Sequence, residues 1–185
     1  MAGFAKFDGV DGESTDAQHD GWVSFLSLDW GVSQLGGSTG QSRRRGSVVV
    51  DDVVLMFEYE QAMPKLLESC LRGRQIPKLE IELTSTSGGA RATYLRYELK
   101  NVMVSSYSVS AAGDHESGPP KVSLSINFEE IKVTYTKFDA AGGVVGTVET
   151  DYARERLSSR SQAAAPATAT KKYKSKKYKG KKRKK

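Results

Sequence analysis

The chain is poor in the residues that carry covalent and metal chemistry. Its 185 residues include one cysteine, Cys70, and two histidines, His19 and His115. A lone thiol excludes an intrachain disulfide, and so few soft ligands exclude a Cys/His zinc cluster. No stretch approaches the 18 or so consecutive apolar residues that a spanning helix needs, so no membrane insertion is expected. The opening residues MAGFAKFDG lack an apolar core followed by a cleavage site, and a classical signal peptide is not expected. No repeat of fixed period runs through the sequence. The motifs of catalysis are missing as well. Gly36, Gly37, Gly40 and Gln41 offer neither the lysine nor the spacing of a phosphate loop. Asp8, Asp11, Glu13 and Asp16 do not follow the spacing of a calcium-binding loop, and read as a solvated or intersubunit loop face. Neither histidine belongs to a recognisable nucleophile motif; both are expected to be solvated in polar loops. The expectation is a non-enzyme without metal or cofactor.

What is present is divided sharply along the chain. Lysine and arginine number 28 against 22 acidic residues, a net +6. Residues 171–185 alone hold 11 basic residues and no acidic one, which leaves 17 basic against 22 acidic in residues 1–170, or −5. The body is mildly acidic, and any pull toward acidic partners belongs to the tail.

Alternation with period two dominates the body and predicts strands. Residues 4–10 form a short first strand. In 21–34, Trp22, Leu26, Leu28, Trp30 and Val32 share one parity and predict one apolar face, with both tryptophans in the core. Residues 48–59 are β-rich. Leu79, Ile81 and Leu83 alternate with Glu80, Glu82 and Thr84. From 92 to 109 the apolar face becomes ambiguous, with Val102 and Val104 on one side and Tyr107 and Val109 on the other, which predicts a bulge or a face buried against another subunit. Val122, Leu124, Ile126 and Phe128 hold one parity and Ile131, Val133 and Tyr135 the other, with the switch near Glu129 and Glu130. A turn at 139–143 leads to a last strand with Val144, Val148 and Tyr152 in phase. One helix is predicted at 62–72, with Pro64 in its first turn, Gly73 as its cap, and Leu66, Leu67, Cys70 and Leu71 on its apolar side. Cys70 reads as a small buried hydrophobe. Roughly seven to nine strands and one short helix give a mainly β fold, an antiparallel β-barrel or two-sheet sandwich. Residues 35–47 have no hydrophobic rhythm and predict a long exposed loop. The pattern stops near Leu157, so the expected division is a β-domain at 1–157 followed by a disordered Ser/Ala/Thr linker and basic tail at 158–185.

Three segments in order carry a resemblance: 4–34 (FAKFDGVDGESTDAQHDGWVSFLSLDWGVSQ), 63–73 (MPKLLESCLRG) and 123–146 (SLSINFEEIKVTYTKFDAAGGVVG). The chain resembles the haemolysin-coregulated protein (Hcp) family over about residues 1–152. The resemblance implies a tail-tube-like barrel with one helix, a homo-oligomeric hexameric ring, and rings stacked into the inner tube of a type VI secretion apparatus. It implies sheath and spike proteins as partners and effectors as lumen cargo. It also implies a bacterial cytoplasmic origin, with export or injection that uses no classical signal. By position, 35–47 corresponds to the family's extended ring-stacking loop, here with Leu35, Gly36, Gly37, Arg43, Arg44 and Arg45. The chain departs from the family at its end, where typical members stop soon after the last strand. The added run of Lys171, Lys172, Tyr173, Lys174, Lys176, Lys177, Tyr178, Lys179, Lys181, Lys182, Arg183, Lys184 and Lys185 has four open readings. It could bind nucleic acid by phosphate neutralisation and stacking. It could instead hold an acidic protein, touch an anionic membrane surface, or serve only as a solubilising tail. A nucleic-acid-binding β-domain acting through this tail is the alternative to the tube subunit.

Overall fold

The computed structural model describes residues 1–34, 48–87, 90–113 and 118–153. They form ten strands and one helix in the order β1 (Ala2–Phe7), β2 (Val23–Asp29), β3 (Val32–Gln34), β4 (Val48–Val50), β5 (Val53–Glu58), α1 (Met63–Arg72), β6 (Gln75–Ser87), β7 (Ala90–Ser110), β8 (Lys121–Asn127), β9 (Glu130–Phe138) and β10 (Val144–Ala153). Six strands close a barrel in the order β7-β6-β1-β2-β5-β8, with β8 returning to β7. All the pairings are antiparallel. Closure removes the open edges that would otherwise invite association. Alternate residues of each strand fill the interior: Ala5 and Phe7, Leu55 and Phe57, Leu79 and Ile81, Leu124 and Ile126 are fully buried. The expected mainly β barrel with one helix is the fold observed.

β7 is long enough to serve two structures. Residues 103–110 pair with β8 and close the barrel, while 95–100 pair with β9. β9 in turn carries β10, so β6, β7, β9 and β10 continue as a wing beyond the barrel. The register passes from Met103↔Asn127 to Lys100↔Glu130 without slipping, so β8 and β9 are one kinked line along one edge of β7. This kink is the parity switch expected near Glu129. Across from it Asn101 takes φ 49, a left-handed conformation that asparagine tolerates better than most residues. The twist moves burial from Leu99 to Val102 and Val104. The side-chain amide of Asn101 donates to Glu129 Oε2 at 2.8 Å and the Glu129 N–H donates to the Lys100 carbonyl at 3.1 Å, pinning the two kinks together.

Helix α1 plugs the core with Met63 and Leu66, each fully buried. Gly73 closes it at φ 60; its N–H donates to the Cys70 carbonyl and that of Arg74 to Ser69. The buried face is displaced from the expected one. Ser69 is buried, its hydroxyl donating back to the Lys65 carbonyl at 2.9 Å, whereas Leu71 is 79% exposed and Cys70 half-buried against the core.

Two strand faces also differ from expectation. A register shift between Phe25 and Ser27 turns β2 over, so Val23 and Phe25 face the core, Leu28 takes over beyond the bulge, and Leu26 is 52% exposed. Trp30 packs against the core, but Trp22 does not. In β10 the slip between Val144 and Gly146 breaks the expected phase of Val144 with Val148.

Candidate functional site

No described residues form a group of three or more His, Cys, Asp or Glu able to hold a metal. The features that could act on another molecule are surfaces. The first is the wing. Its face that continues the barrel interior becomes steadily more exposed along the pairs Tyr152↔Ile131, Thr150↔Val133 and Val148↔Tyr135. Ile131 is buried, Tyr152 is 39% exposed and Val148 69%. β10 pairs only with β9 and leaves its other edge free among the described residues. Beside the wing, β3 and β4 form a two-stranded ribbon whose Val32, Val48 and Val49 are exposed. Between ribbon and wing lies an apolar groove of about 150 Å³ lined by Trp30, Val32, Val50, Val133 and Tyr152. An exposed apolar face beside a free strand edge is a surface made for association.

The opposite face of the same strands is a lattice of charge. Arg96 ion-pairs with Glu80 and lies 3.4 Å from Glu82 and 3.5 Å from Glu98. Lys78 reaches Glu80 at 2.6 Å, Lys100 reaches Glu130 at 2.8 Å and Lys132 reaches Glu149 at 3.0 Å. Burial works against the Glu80 carboxylate, but hydrogen bonds from Lys78 and Arg96 outweigh it and hold its pKa below the ordinary value. The lattice pairs most of the charges on this face with opposite ones.

The second feature is the loop between β1 and β2. It folds back on the charged face, held by the Gly12 N–H on the Gly21 carbonyl at 2.9 Å and the Ser14 N–H on the Trp22 carbonyl at 2.9 Å. His19 anchors it. Contrary to the expectation of a solvated loop residue, His19 is only 1% exposed. Its ring stacks on Phe4 at 4.2 Å and meets Trp22 edge-on at 4.9 Å. This contact gives Trp22 a role outside the core. Nδ1 lies 2.9 Å from Asp16 Oδ1 and Nε2 lies 3.0 Å from Glu82 Oε2. Asp16 also ion-pairs with Arg91, and its pKa is lowered, first by the His19 hydrogen bond. The acidic loop residues are therefore engaged rather than simply solvated: Asp11 lies 3.5 Å from Lys6, and Glu13 Oε1 accepts from the Gln61 N–H at 2.9 Å. Reading the sequence missed this cluster because Glu82 is 63 residues away from His19. The local signals were Asp16 three residues before the histidine and Trp22 three residues after it.

Other expected sites fall outside the described residues: Leu35, Gly36, Gly37, Arg43, Arg44 and Arg45 of the loop, the basic run at 171–185, and His115. The described residues on either side of that loop, Gln34 and Val48, pair with each other in the ribbon.

Residues 4–135 match the family model described as type VI secretion system effector, Hcp. The chain is 31% identical over 144 residues to the Hcp1 protein of Pseudomonas aeruginosa, covering 77% of this chain and 88% of that one. Its fold is similar to a solved type six secretion system protein, with a TM-score of 0.78 at 26% identity over 83% of this chain and 95% of the other. It is also similar to Hcp1 from Salmonella typhimurium, with a TM-score of 0.66 at 25% identity, covering 82% and 93%.

Proposed function

The chain belongs to the Hcp family of type VI secretion proteins, and we propose on that premise that it is a structural subunit of the secretion tube, acting by assembly and not by catalysis. Copies close into a ring, six to the ring, and rings stack into the tube. The observation that carries this reading is the join of a closed, edgeless barrel to a wing that exposes Val148, Tyr135 and a free β10 edge. The barrel gives a rigid body of fixed shape, and the wing gives the part that a lone copy leaves unfinished. The finer contacts follow from this reading. The segment 35–47, rooted on the ribbon, reaches the neighbouring ring with Arg43, Arg44 and Arg45. A sheath encloses the tube, a spike caps it, and effectors travel in the lumen. The protein starts in the bacterial cytoplasm and leaves through the apparatus. A nucleic-acid-binding role for the basic run finds no support in these likenesses.

Light scattering after size exclusion, with electron microscopy of the same fractions, tests the reading. Rings are expected for the unaltered chain, and Val148→Lys, a charge placed on the exposed face of the wing, is expected to shift the distribution toward single copies. A wholly monomeric unaltered protein at tens of micromolar would overturn it.

A further inference from the structure

We propose that His19 is a proton-dependent latch that fastens the 11–22 loop to the outer face of β1 and β6. The proposal rests on the geometry of the single chain and stands or falls apart from the tube reading. Both ring nitrogens face carboxylate oxygens, Asp16 Oδ1 at 2.9 Å and Glu82 Oε2 at 3.0 Å. A carboxylate only accepts. A neutral imidazole has one N–H and one bare lone pair, and only the imidazolium donates at both nitrogens. The doubly protonated ring therefore satisfies both contacts, while the neutral ring must turn a lone pair toward one carboxylate. The ring is 1% exposed, so there is little room for water to relieve that clash.

Other charged and polar groups hold the two carboxylates and the loop. From β7, Arg91 pairs with Asp16 and lies over the Phe4 ring, 5.9 Å from its centroid. Arg96 lies 3.4 Å from Glu82, and the Thr93 hydroxyl donates to Glu82 Oε2 at 2.7 Å. From β1, Lys6 donates to the Gly21 carbonyl at 3.2 Å and pairs with Asp11. No cation comes between the ring and its two acceptors. His19 thus links the loop, through Asp16, to strand β6, through Glu82. Loss of its proton is expected to loosen the loop while leaving the barrel closed.

Hydrogen exchange read by mass spectrometry on the full chain tests this, with exchange at the histidine C2 position reporting the protonation of His19. After correction for intrinsic rates, backbone protection of 11–22 is expected to fall about tenfold, one charge-assisted hydrogen bond's worth, over whatever pH range the C2 signal shows His19 losing its proton. The fall should track the His19 C2 signal and leave the β8 protection unchanged. In Glu82→Gln the side-chain amide can donate to a bare Nε2, so the step should vanish with the loop still protected. Asp16→Asn reads the same point from the other nitrogen if Glu82→Gln loses β8 protection. His19→Gln should leave the loop poorly protected at every pH. Flat protection in the unaltered chain, a step that survives in a folded carboxamide variant, or a protected loop in His19→Gln would each overturn the proposal.

Discussion

Glu60 is the carboxylate that the fold treats worst. One of its oxygens, Oε1, is buried without a hydrogen-bond partner, and the other takes only a 3.4 Å contact from the Glu13 N–H. Burial pushes its pKa up, with the Glu13 charge adding to the rise, so folding favours the protonated form. Stability tied to this group is greatest below its ordinary value of 4.5 and falls as the pH climbs through the raised value. Glu60→Gln is therefore expected to raise the melting temperature at neutral pH, with the gain shrinking toward acid pH; thermal melts of both proteins at several pH values check it. Glu80 has the opposite sign: its contribution is present above the ordinary carboxylate range and is lost as the pH drops through its lowered value. None of this could be read from the sequence, where both residues are simply acidic positions near strands. The burial of His19 was hidden for the same reason, since the groups that make it buried and bonded lie on β1, β6 and the turn of its own loop.

Among the elements, legibility followed how regular each one is. The alternation of Leu79, Ile81 and Leu83, and that of Val122, Leu124 and Ile126, led straight to barrel strands. The misread face of β2 came from one extra residue, which reverses every side chain beyond it. The ambiguous face within 92–109 was legible as a bulge, and a register shift lies between Val104 and Ser106, but the left-handed asparagine tied to Glu129 was not legible. Helix α1 shows why apolar spacing alone misleads: a serine that satisfies its own hydroxyl can be buried while a leucine at the end faces water. The contrast is measurable. Leu66→Ala is expected to cost about 2–5 kcal/mol in denaturant unfolding, and Leu71→Ala to stay within about 0.5 kcal/mol of the unaltered chain.

For the molecule as a whole, the split charge of the sequence suggests that the two ends of the chain do different work. The −5 body pairs many of its charges with opposite ones, whereas residues 171–185 hold 11 basic groups with no acidic neighbour in sequence. Truncation after Leu157 is expected to leave ring assembly intact by light scattering, and a loss of rings in the truncated protein would tie assembly to the tail. The closed topology of the barrel was foreseen only as a class, because nothing local announces that β8 returns to β7. The kinked line of β8 and β9 beside the single long β7 has a mechanical consequence. A pull along the strands from the wing loads many ladder bonds of β7 in shear at once, since those bonds run across the strands. A pull outward on β10 opens its ladder one rung after another. The subunit should thus withstand axial thrust far better than lateral peeling, and β10 is where it would yield first.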